Sequence, residues 1–495
     1  MFKKVLIANR GEIAVRVIRT CREMGIVAVA VYSEADKTAL HVLEADEAVY
    51  LGPAEPLQSY LNIGRLLEAA RKTGAEAVHP GYGFLAENPE LAEGCRQAGV
   101  VFIGPPAQAI RDLGSKTKAR TIMAQAGVPV IPGLYQTSED LQVFSQEAER
   151  LGYPVLIKAA AGGGGKGMRI ISAPGELAEA FQSCKGEAEK AFGDGALYLE
   201  KHLKSPRHVE FQILADSFGN VVHLFERECS IQRRHQKIIE ETPSPALTPA
   251  LRREMGQAAV AAARASGYVN AGTVEFLLDR EGNFYFLEVN TRLQVEHPIT
   301  EVTTGLDLVR QQLEIAAGQA LPFRQEEIRP RGHAFECRIY AEDPEDRFFP
   351  SPGRILYFQE PSGPGIRLDS GIRAGFDVPV DYDPILGKLI VLAENREAAR
   401  RRMIRALENT VILGINTTIP FLLDVFKTEE FRAGKTRTDF IDRHFESWQP
   451  DRGKADLARI AFAAAKRCPL PLADGERAAA LDRPSPWQTL GEWRL

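Results

Sequence analysis

The stretch "AGTVEFLLDREGNFYFLEVNTRLQVEHP", Ala271 to Pro298, concentrates side chains that could do chemistry. "TVEFLLD" and "FYFLEVN" are strand-like runs joined by a four-residue turn, "REGN". With the turn centred between Glu281 and Gly282, Glu275 falls opposite Glu288, and facing Cβ atoms in an antiparallel ladder lie roughly 5 Å apart. Two carboxylates held so close repel by about 3–4 kcal/mol at an effective dielectric of ~20. A shared proton or a cation must offset this. Asn290 lies two residues beyond Glu288, on the same face by strand alternation. Two carboxylates and an amide oxygen are hard ligands that suit Mg²⁺ or Mn²⁺ carrying nucleotide phosphates. Arg292 continues that face if the strand persists, and Gln294, Glu296 and His297 follow closely. A solvated hairpin with acidic tips would account for the carboxylates but leaves "NTRLQVEHP" without a purpose.

A second stretch, "KAAAGGGGKGMRII" from Lys158 to Ile171, could cradle phosphate. It is not a P-loop. Gly167 follows Gly165-Lys166 where Ser or Thr is required, Ala160 stands where the first glycine belongs, and a strand-like run follows where a helix is needed. It reads as strand, glycine loop, strand. Glycine backbone can press its N–H groups onto phosphate oxygens, and such a hairpin can close over a nucleotide as a lid. Taken alone, a flexible turn explains it equally well. Phosphates also need cations, and the candidates are Lys116, Lys158 and Lys237. Lys158 ends a strongly apolar strand, where an unpaired charge is costly. His208 precedes another strand, and a lone histidine there is most often structural.

These segments need a scaffold, and 495 residues are too many for one compact core. The net charge of -5 gives no reason to expect nucleic acid or an anionic membrane as partner. None of the six cysteines (Cys21, Cys95, Cys184, Cys229, Cys337 and Cys468) forms a CxxC, which fits reduced thiols in a cytosolic protein. No apolar run is long enough to cross a membrane, and the N-terminus reads as a strand from its first residues, so a cytoplasmic location is expected. The first hundred or so residues alternate strand and helix: "KVLIA", a helix over Ile13 to Met24, "VAVAVYS", "EAVHP", a helix ending near Gly99, and "VVFIGP". That pattern predicts an α/β domain with a parallel sheet. Its first turn, "ANRGEIA", lacks the G-x-G-x-x-G of a dinucleotide site, although Glu34 lies after the second strand. "AGVPVIPG" marks a boundary near residues 114–133, and from His333 to about Glu446 short strands and turns dominate.

Twelve ordered motifs over about residues 1–446 together resemble biotin carboxylase, within the ATP-grasp superfamily. They include "KVLIANRGEIAVRVIRT", "HPGYGFLAEN", "GSK", "IKAAAGGGGKGMR", "YLEKHL", "PRHVEFQ", "ERECSIQRRHQKIIEE", "FLEVNTRLQVEHPITE", "HAFECRIYAEDP" and "YDPILGKL". The resemblance implies an N-terminal Rossmann-like parallel sheet domain (1–114), an ATP-grasp domain (115–322) with a mobile glycine-rich lid at about 133–203, a C-terminal mixed α+β domain (333–446) and a tail or linker (447–495). It implies a two-step reaction in which ATP phosphorylates bicarbonate to carboxyphosphate, which then carboxylates N1′ of biotin held on a carrier. An acetyl-CoA or other acyl-CoA carboxylase is the expected setting, with ATP and two Mg²⁺ or Mn²⁺ ions required.

The same resemblance assigns roles. Glu275, Glu288 and Asn290 resemble the metal site. Lys116 and Lys158 resemble nucleotide phosphate clamps, Gly163, Gly164 and Gly165 the lid, and Glu200, Lys201 and Leu203 the adenine hinge. His208, Gln232 and His235 resemble ribose and phosphate contacts. Lys237, Arg292, Gln294 and Val295 resemble the bicarbonate pocket, and Glu296, between arginines, the base that deprotonates bicarbonate. Arg338 would stabilise the enolate oxygen of deprotonated biotin, with Tyr82 lining the biotin pocket. Two departures stand out: Ala161 and Lys166 replace residues that are usually Gly and Arg, which alters the lid, and Pro364 replaces a familiar aromatic in the dimer-contact region. Arg19, Glu23 and Arg367 remain, so a homodimer is expected. None of the six methionines precedes a lysine, so biotin is expected on a partner carrier protein or domain, alongside a carboxyltransferase. Another ATP-grasp ligase would share the carboxylates and the lid but has no need of "RLQVEHP" with "ECRIYAEDP". A scaffold that had lost its chemistry would not be expected to keep Lys237, Glu296 and Arg338 together.

Overall fold

The computed structural model describes residues 1–138, 140–160, 167–234 and 236–450. The first element is a wholly parallel five-stranded sheet, in the order Glu47–Gly52, Val27–Ser33, Lys4–Ile7, Ala77–His79, Val101–Phe102. Both faces of its centre are covered, which is why Val5, Leu6 and Ile7 form an unbroken apolar run with no exposed surface. The helix Gly11–Glu23 follows the first strand and packs Ile13, Val17 and Ile18 into the core. The strand order is that of a Rossmann-like half. The edge strand Glu47–Gly52 escapes the sequence reading; its first four residues alternate between half-buried and exposed.

A four-stranded antiparallel sheet follows, ordered Gly133–Ser138, Leu197–Lys201, Val155–Ala159, Met168–Ile171. The helices Leu141–Leu151 and Leu177–Phe192 close a separate core around Phe144, Ile157, Phe181 and Leu199. Lys158 pairs with Met168 across the glycine run, so the strand, loop, strand reading holds. Residues 161–166, with Gly163, Gly164 and Gly165, lie outside the described residues, as do His235 and the tail from 451.

The largest sheet has eight antiparallel strands and carries the candidate chemistry. Its order is Phe284–Asn290, Asn270–Leu278, Arg207–Ala215, Val221–Arg233, Gln236–Thr242, His333–Tyr340, Ile385–Ala393, Ile366–Ser370. One sheet therefore runs across the chain segment between 322 and 333. His333–Tyr340 is buried at every position, and the helices Arg396–Asn409 and Ile419–Lys427 cover this end of the sheet. A short helix, His297–Thr304, begins directly after Glu296 and packs on the strands that carry Lys237 and Arg338.

Candidate active site

In the structure Glu275 does face Glu288, but by a different route from the one expected. The connection is a five-residue loop over 279–283, in which the Asp279 carboxylate accepts from the Glu281 and Asn283 N–H groups at 3.0 and 2.8 Å. Leu278 faces Phe284 and Phe276 faces Phe286, a register that would put Glu275 opposite Leu287. A register shift between Phe276 and Glu275 adds one residue on the second strand and restores the carboxylate pair. The next strand extends the row, because Glu210 faces Glu275 and Arg227 faces Glu210. Four neighbouring strands thus line up Glu288, Glu275, Glu210 and Arg227.

Lys237, from the fifth strand, reaches into this row. Its Nζ donates to Glu210 at 2.5 Å, Glu275 at 2.6 Å and Glu296 at 2.8 Å. Burial alone would pull the Lys237 pKa down, but the three carboxylates reverse the effect and hold it well above the ordinary lysine value. Glu275 takes two more donors, Asn290 Nδ2 at 2.7 Å and Gln294 Nε2 at 3.3 Å, and His208 Nε2 lies 2.9 Å from its other oxygen. Gln232 Nε2 lies 2.6 Å from His208 Nδ1, which places the imidazole proton on Nε2, facing Glu275. Burial raises the Glu275 carboxyl, but Lys237 and His208 outweigh it and hold it far below the usual range. Glu288 behaves oppositely. Its side chain is exposed, and partial desolvation by the surrounding protein, together with the Glu275 charge, raises its carboxyl. The repulsion expected from the sequence is present, and cations settle it on one side only. Glu275, Glu288 and the Asn290 amide supply hard oxygen donors that fit Mg²⁺ or Mn²⁺. Asn290 donates its Nδ2 to Glu275 and accepts from Arg292 at its Oδ1, which keeps a second lone pair for a cation.

Glu296 is the junction. Its Oε1 accepts from Lys237 and its Oε2 from Arg338 Nη2 at 3.0 Å. It stands at the N-cap position of the helix His297–Thr304 without a side-chain capping bond, where backbone partial charge favours an anion. Burial opposes its ionisation; Lys237, Arg338 and Arg227 overcome it, and the carboxyl lies well below its usual range. Arginines do act on it, Arg338 directly and Arg227 from further away, and Lys237 adds a second direct ionic partner. Arg292 is held elsewhere. The strand stops at Asn290, so Arg292 does not continue the face by alternation. It reaches back through hydrogen bonds, Nε to Glu87 at 2.9 Å, Nη1 to Gln294 at 3.0 Å and Nη2 to Asn290 at 3.0 Å.

On the far side, Arg338 Nε donates to Glu240 at 2.7 Å. Burial raises the Glu240 carboxyl to about 7, with Arg338 pulling it back and Glu296 pushing it further up. Lys388, fully buried, donates to the Val295 carbonyl at 3.0 Å, pairs with Glu12 at 3.1 Å and lies under the Tyr82 ring. The Tyr82 hydroxyl donates to Glu12. Lys388 thereby links Tyr82 and the Val295 carbonyl, and Arg338 faces Lys388 in register on the neighbouring strand.

The nucleotide-side candidates form a second cluster. Lys158 pairs with Glu200, which also accepts from Arg120 Nη2 at 3.1 Å. Lys116 opens the helix Lys116–Gln125. Burial and the Lys158 charge lower its pKa, as expected of two cations sharing a space meant for anions. The Glu200 side chain is a buried counter-ion, and Lys201 Nζ donates to the Gly152 carbonyl at 2.7 Å, so both point into protein. Leu203 follows that strand in the turn.

The sequence reading passed over Glu210, Arg227, Glu87, Arg120 and Glu240. Glu210 could have been found, since it lies two residues from His208 on one strand and so shares its face. The others depend on pairings between distant segments.

The family description "Biotin carboxylase, N-terminal domain" matches residues 1–110, "Carbamoyl-phosphate synthase L chain, ATP binding domain" residues 115–324, and "Biotin carboxylase C-terminal domain" residues 336–443. A pyruvate carboxylase subunit of Methanothermobacter thermautotrophicus is 55% identical over 444 residues, 90% of either chain. The chloroplastic biotin carboxylase of Arabidopsis thaliana is 54% identical over 447 residues, 90% of this chain and 82% of the relative. Among solved structures, the biotin carboxylase domain dimer of Hydrogenobacter thermophilus 2-oxoglutarate carboxylase, with MgADP, ADP and bicarbonate, superposes with a TM-score of 0.86 at 50% identity, over 90% of this chain and 98% of that one. With the parallel sheet, the eight-stranded carboxylate row and the Lys237–Glu296–Arg338 junction in place, these likenesses show that the chain belongs to the biotin carboxylase family, ATP-dependent ligases that carboxylate biotin.

Proposed function

We propose that the Lys237–Glu296–Arg338 junction joins the two half-steps, with phosphoryl chemistry on its Lys237 side and biotin chemistry on its Arg338 side. The observation that carries this is that a single buried carboxylate, Glu296, bonds to both cations at 2.8 and 3.0 Å. Glu296 is ionised, the form a base needs, but two cations make it a weak base. Transfer of Lys237 from Glu296 to the phosphoryl group of bound ATP restores basicity when bicarbonate must lose its proton. Arg292, anchored by Glu87, and Gln294 orient bicarbonate. Lys116, Lys158, His208 and Gln232 face the nucleotide, with Gly163–Gly165 and His235 assigned to it by family likeness. Glu275, Glu288 and Asn290 would hold Mg²⁺ or Mn²⁺, which supplies charge neutralisation at the phosphates. Arg338 faces the oxygen of deprotonated biotin beside Tyr82.

Biotin arrives on a carrier protein or domain, and the carboxyl group passes on to a carboxyltransferase component. The acyl-CoA acceptor expected from the sequence is narrower than the site supports, since two of the relatives above are named for 2-oxo acid carboxylases. A homodimer fits the exposed Arg19 and Glu23 on one helix face, next to Arg367, which Glu301 and Asp369 fix at 2.8 and 2.7 Å. Among the described residues no helix is long and apolar enough to cross a membrane. The reading is tested by ADP release from purified protein with Mg²⁺, ATP and bicarbonate, with and without free biotin. Biotin stimulation that disappears in Arg338→Ala supports it, and bicarbonate-independent release overturns it.

A further inference from the structure

We propose that Glu240 is the positioning residue of Arg338, holding the guanidinium through Nε while Glu296 changes charge. The inference rests on the proposed roles of Glu296 as proton acceptor and Arg338 as the cation facing biotin. Glu240 lies on the strand Gln236–Thr242, and Arg338 lies on its neighbour His333–Tyr340, where Glu240 faces Glu336. Glu240 and Glu336 have no exposed surface, and Arg338 keeps only 8%. Two carboxylates grip the guanidinium from two sides, Glu240 at Nε (2.7 Å) and Glu296 at Nη2 (3.0 Å).

The two grips are not equivalent during turnover. When Glu296 accepts the bicarbonate proton it becomes a neutral acid, and its contact with Arg338 loses the ion-pair attraction, leaving a hydrogen bond in which only the guanidinium is charged. Arg338 would then be free to turn just as the enolate oxygen forms. Glu240 has no such duty and keeps its hold on Nε. Its position also opposes a repulsion, because Arg338 faces Lys388 in register on the next strand, and like charges directly opposite are unfavourable. Lys388 cannot move away, being tied to Glu12 and the Val295 carbonyl. Glu336 cannot substitute. Both of its carboxylate oxygens are buried without a hydrogen-bond partner, so it makes no bond to Arg338.

The test is steady-state kinetics of the full chain carrying Glu240→Ala or Glu240→Gln, with free biotin as substrate. Misplacing a reacting group by about 1 Å costs on the order of a hundredfold. Glu240→Ala is therefore expected to lose about 10- to 100-fold in biotin-stimulated kcat with KM for biotin nearly unchanged, because Arg338 acts on charge present only in the transition state. Glu240→Gln keeps the volume and one acceptor, and should recover about tenfold of that loss. Bicarbonate-dependent ADP release without biotin should stay within about twofold of wild type in both, which also reports that the variants fold. Wild-type biotin stimulation in both variants overturns the inference. A parallel loss of the biotin-independent rate overturns it too, by making Glu240 a structural residue. Failure of the underlying reading shows separately, in the wild type alone, as ADP release indifferent to bicarbonate.

Discussion

The two ends of the candidate site are built from different kinds of sequence information. The phosphate end rests on one hairpin, Asn270–Leu278 with Phe284–Asn290, whose carboxylates meet because the chain turns back within a few residues. The biotin end rests on a pairing of Gln236–Thr242 with His333–Tyr340, two segments far apart in the chain, and on Lys388 from a third. The phosphate end is crowded with unequal carboxylates, one held low by cations and one raised. The biotin end is a line of cations separated by carboxylates. Glu296 bonds to a cation of each, Lys237 and Arg338, and on the proposed reading the coupling of two chemistries is a matter of one shared anion.

The comparison is broken most severely at Lys237. Lys237→Ala leaves Glu210, Glu275 and Glu296 buried without their common cation. A loss of about 3–5 kcal/mol of stability is expected, visible as a lowered urea midpoint, with ATP turnover abolished. An unchanged midpoint would mean the carboxylates relax by taking up protons. Arg338→Ala should cut biotin-stimulated turnover by about 10²–10³-fold while bicarbonate-dependent ADP release persists, measured side by side. Equal losses in both assays would merge the two ends.

The N-terminal sheet supplies a pH contrast. Burial pulls the His79 pKa down to about 4. Its Nδ1 accepts from the Gly81 N–H at 3.0 Å and its Nε2 lies 3.2 Å from Gln312 Oε1, contacts that suit the neutral ring. The unfolded chain binds this proton near pH 6.5 and the folded one only near 4, so stability falls as pH drops between those values. The fall is about 3 kcal/mol at most. His79→Gln should flatten that limb in denaturant titrations at pH 7, 5.5 and 4, whereas an unaltered slope would place the acid sensitivity elsewhere. The smallest effect is at Glu87, whose exposed carboxylate orients Arg292. Glu87→Gln should raise KM for bicarbonate about threefold to fivefold, with KM for ATP unchanged as the control.

Legibility followed range along the chain. The Glu275–Glu288 pair was readable from alternation and a turn signal, although the actual loop is one residue longer and a bulge restores the register. The glycine hairpin was readable as strand, loop, strand because Lys158 and Met168 flank it. Arg338 carries no local signal: "ECRIY" is an apolar strand with one arginine, and its counter-ions Glu240 and Glu296 come from separate segments. Its role was legible only through family likeness. Arg227 and Glu240 stayed hidden for the same reason, since which strands lie side by side is decided by tertiary packing, whereas Glu210 was within reach by its alternation with His208. Arg292 shows the reverse case. Its place was anticipated, yet the strand ends before it and side-chain hydrogen bonds bring it in.

The most direct test of the shared-anion account is ADP release with Mg²⁺, ATP and bicarbonate by wild type, Glu296→Ala and Arg338→Ala, each with and without biotin. The account predicts that Glu296→Ala loses both the biotin-independent and the biotin-stimulated rates, while Arg338→Ala loses only the stimulation. Retention of the biotin-independent rate in Glu296→Ala would contradict it, because the proton of bicarbonate would then be leaving by another path.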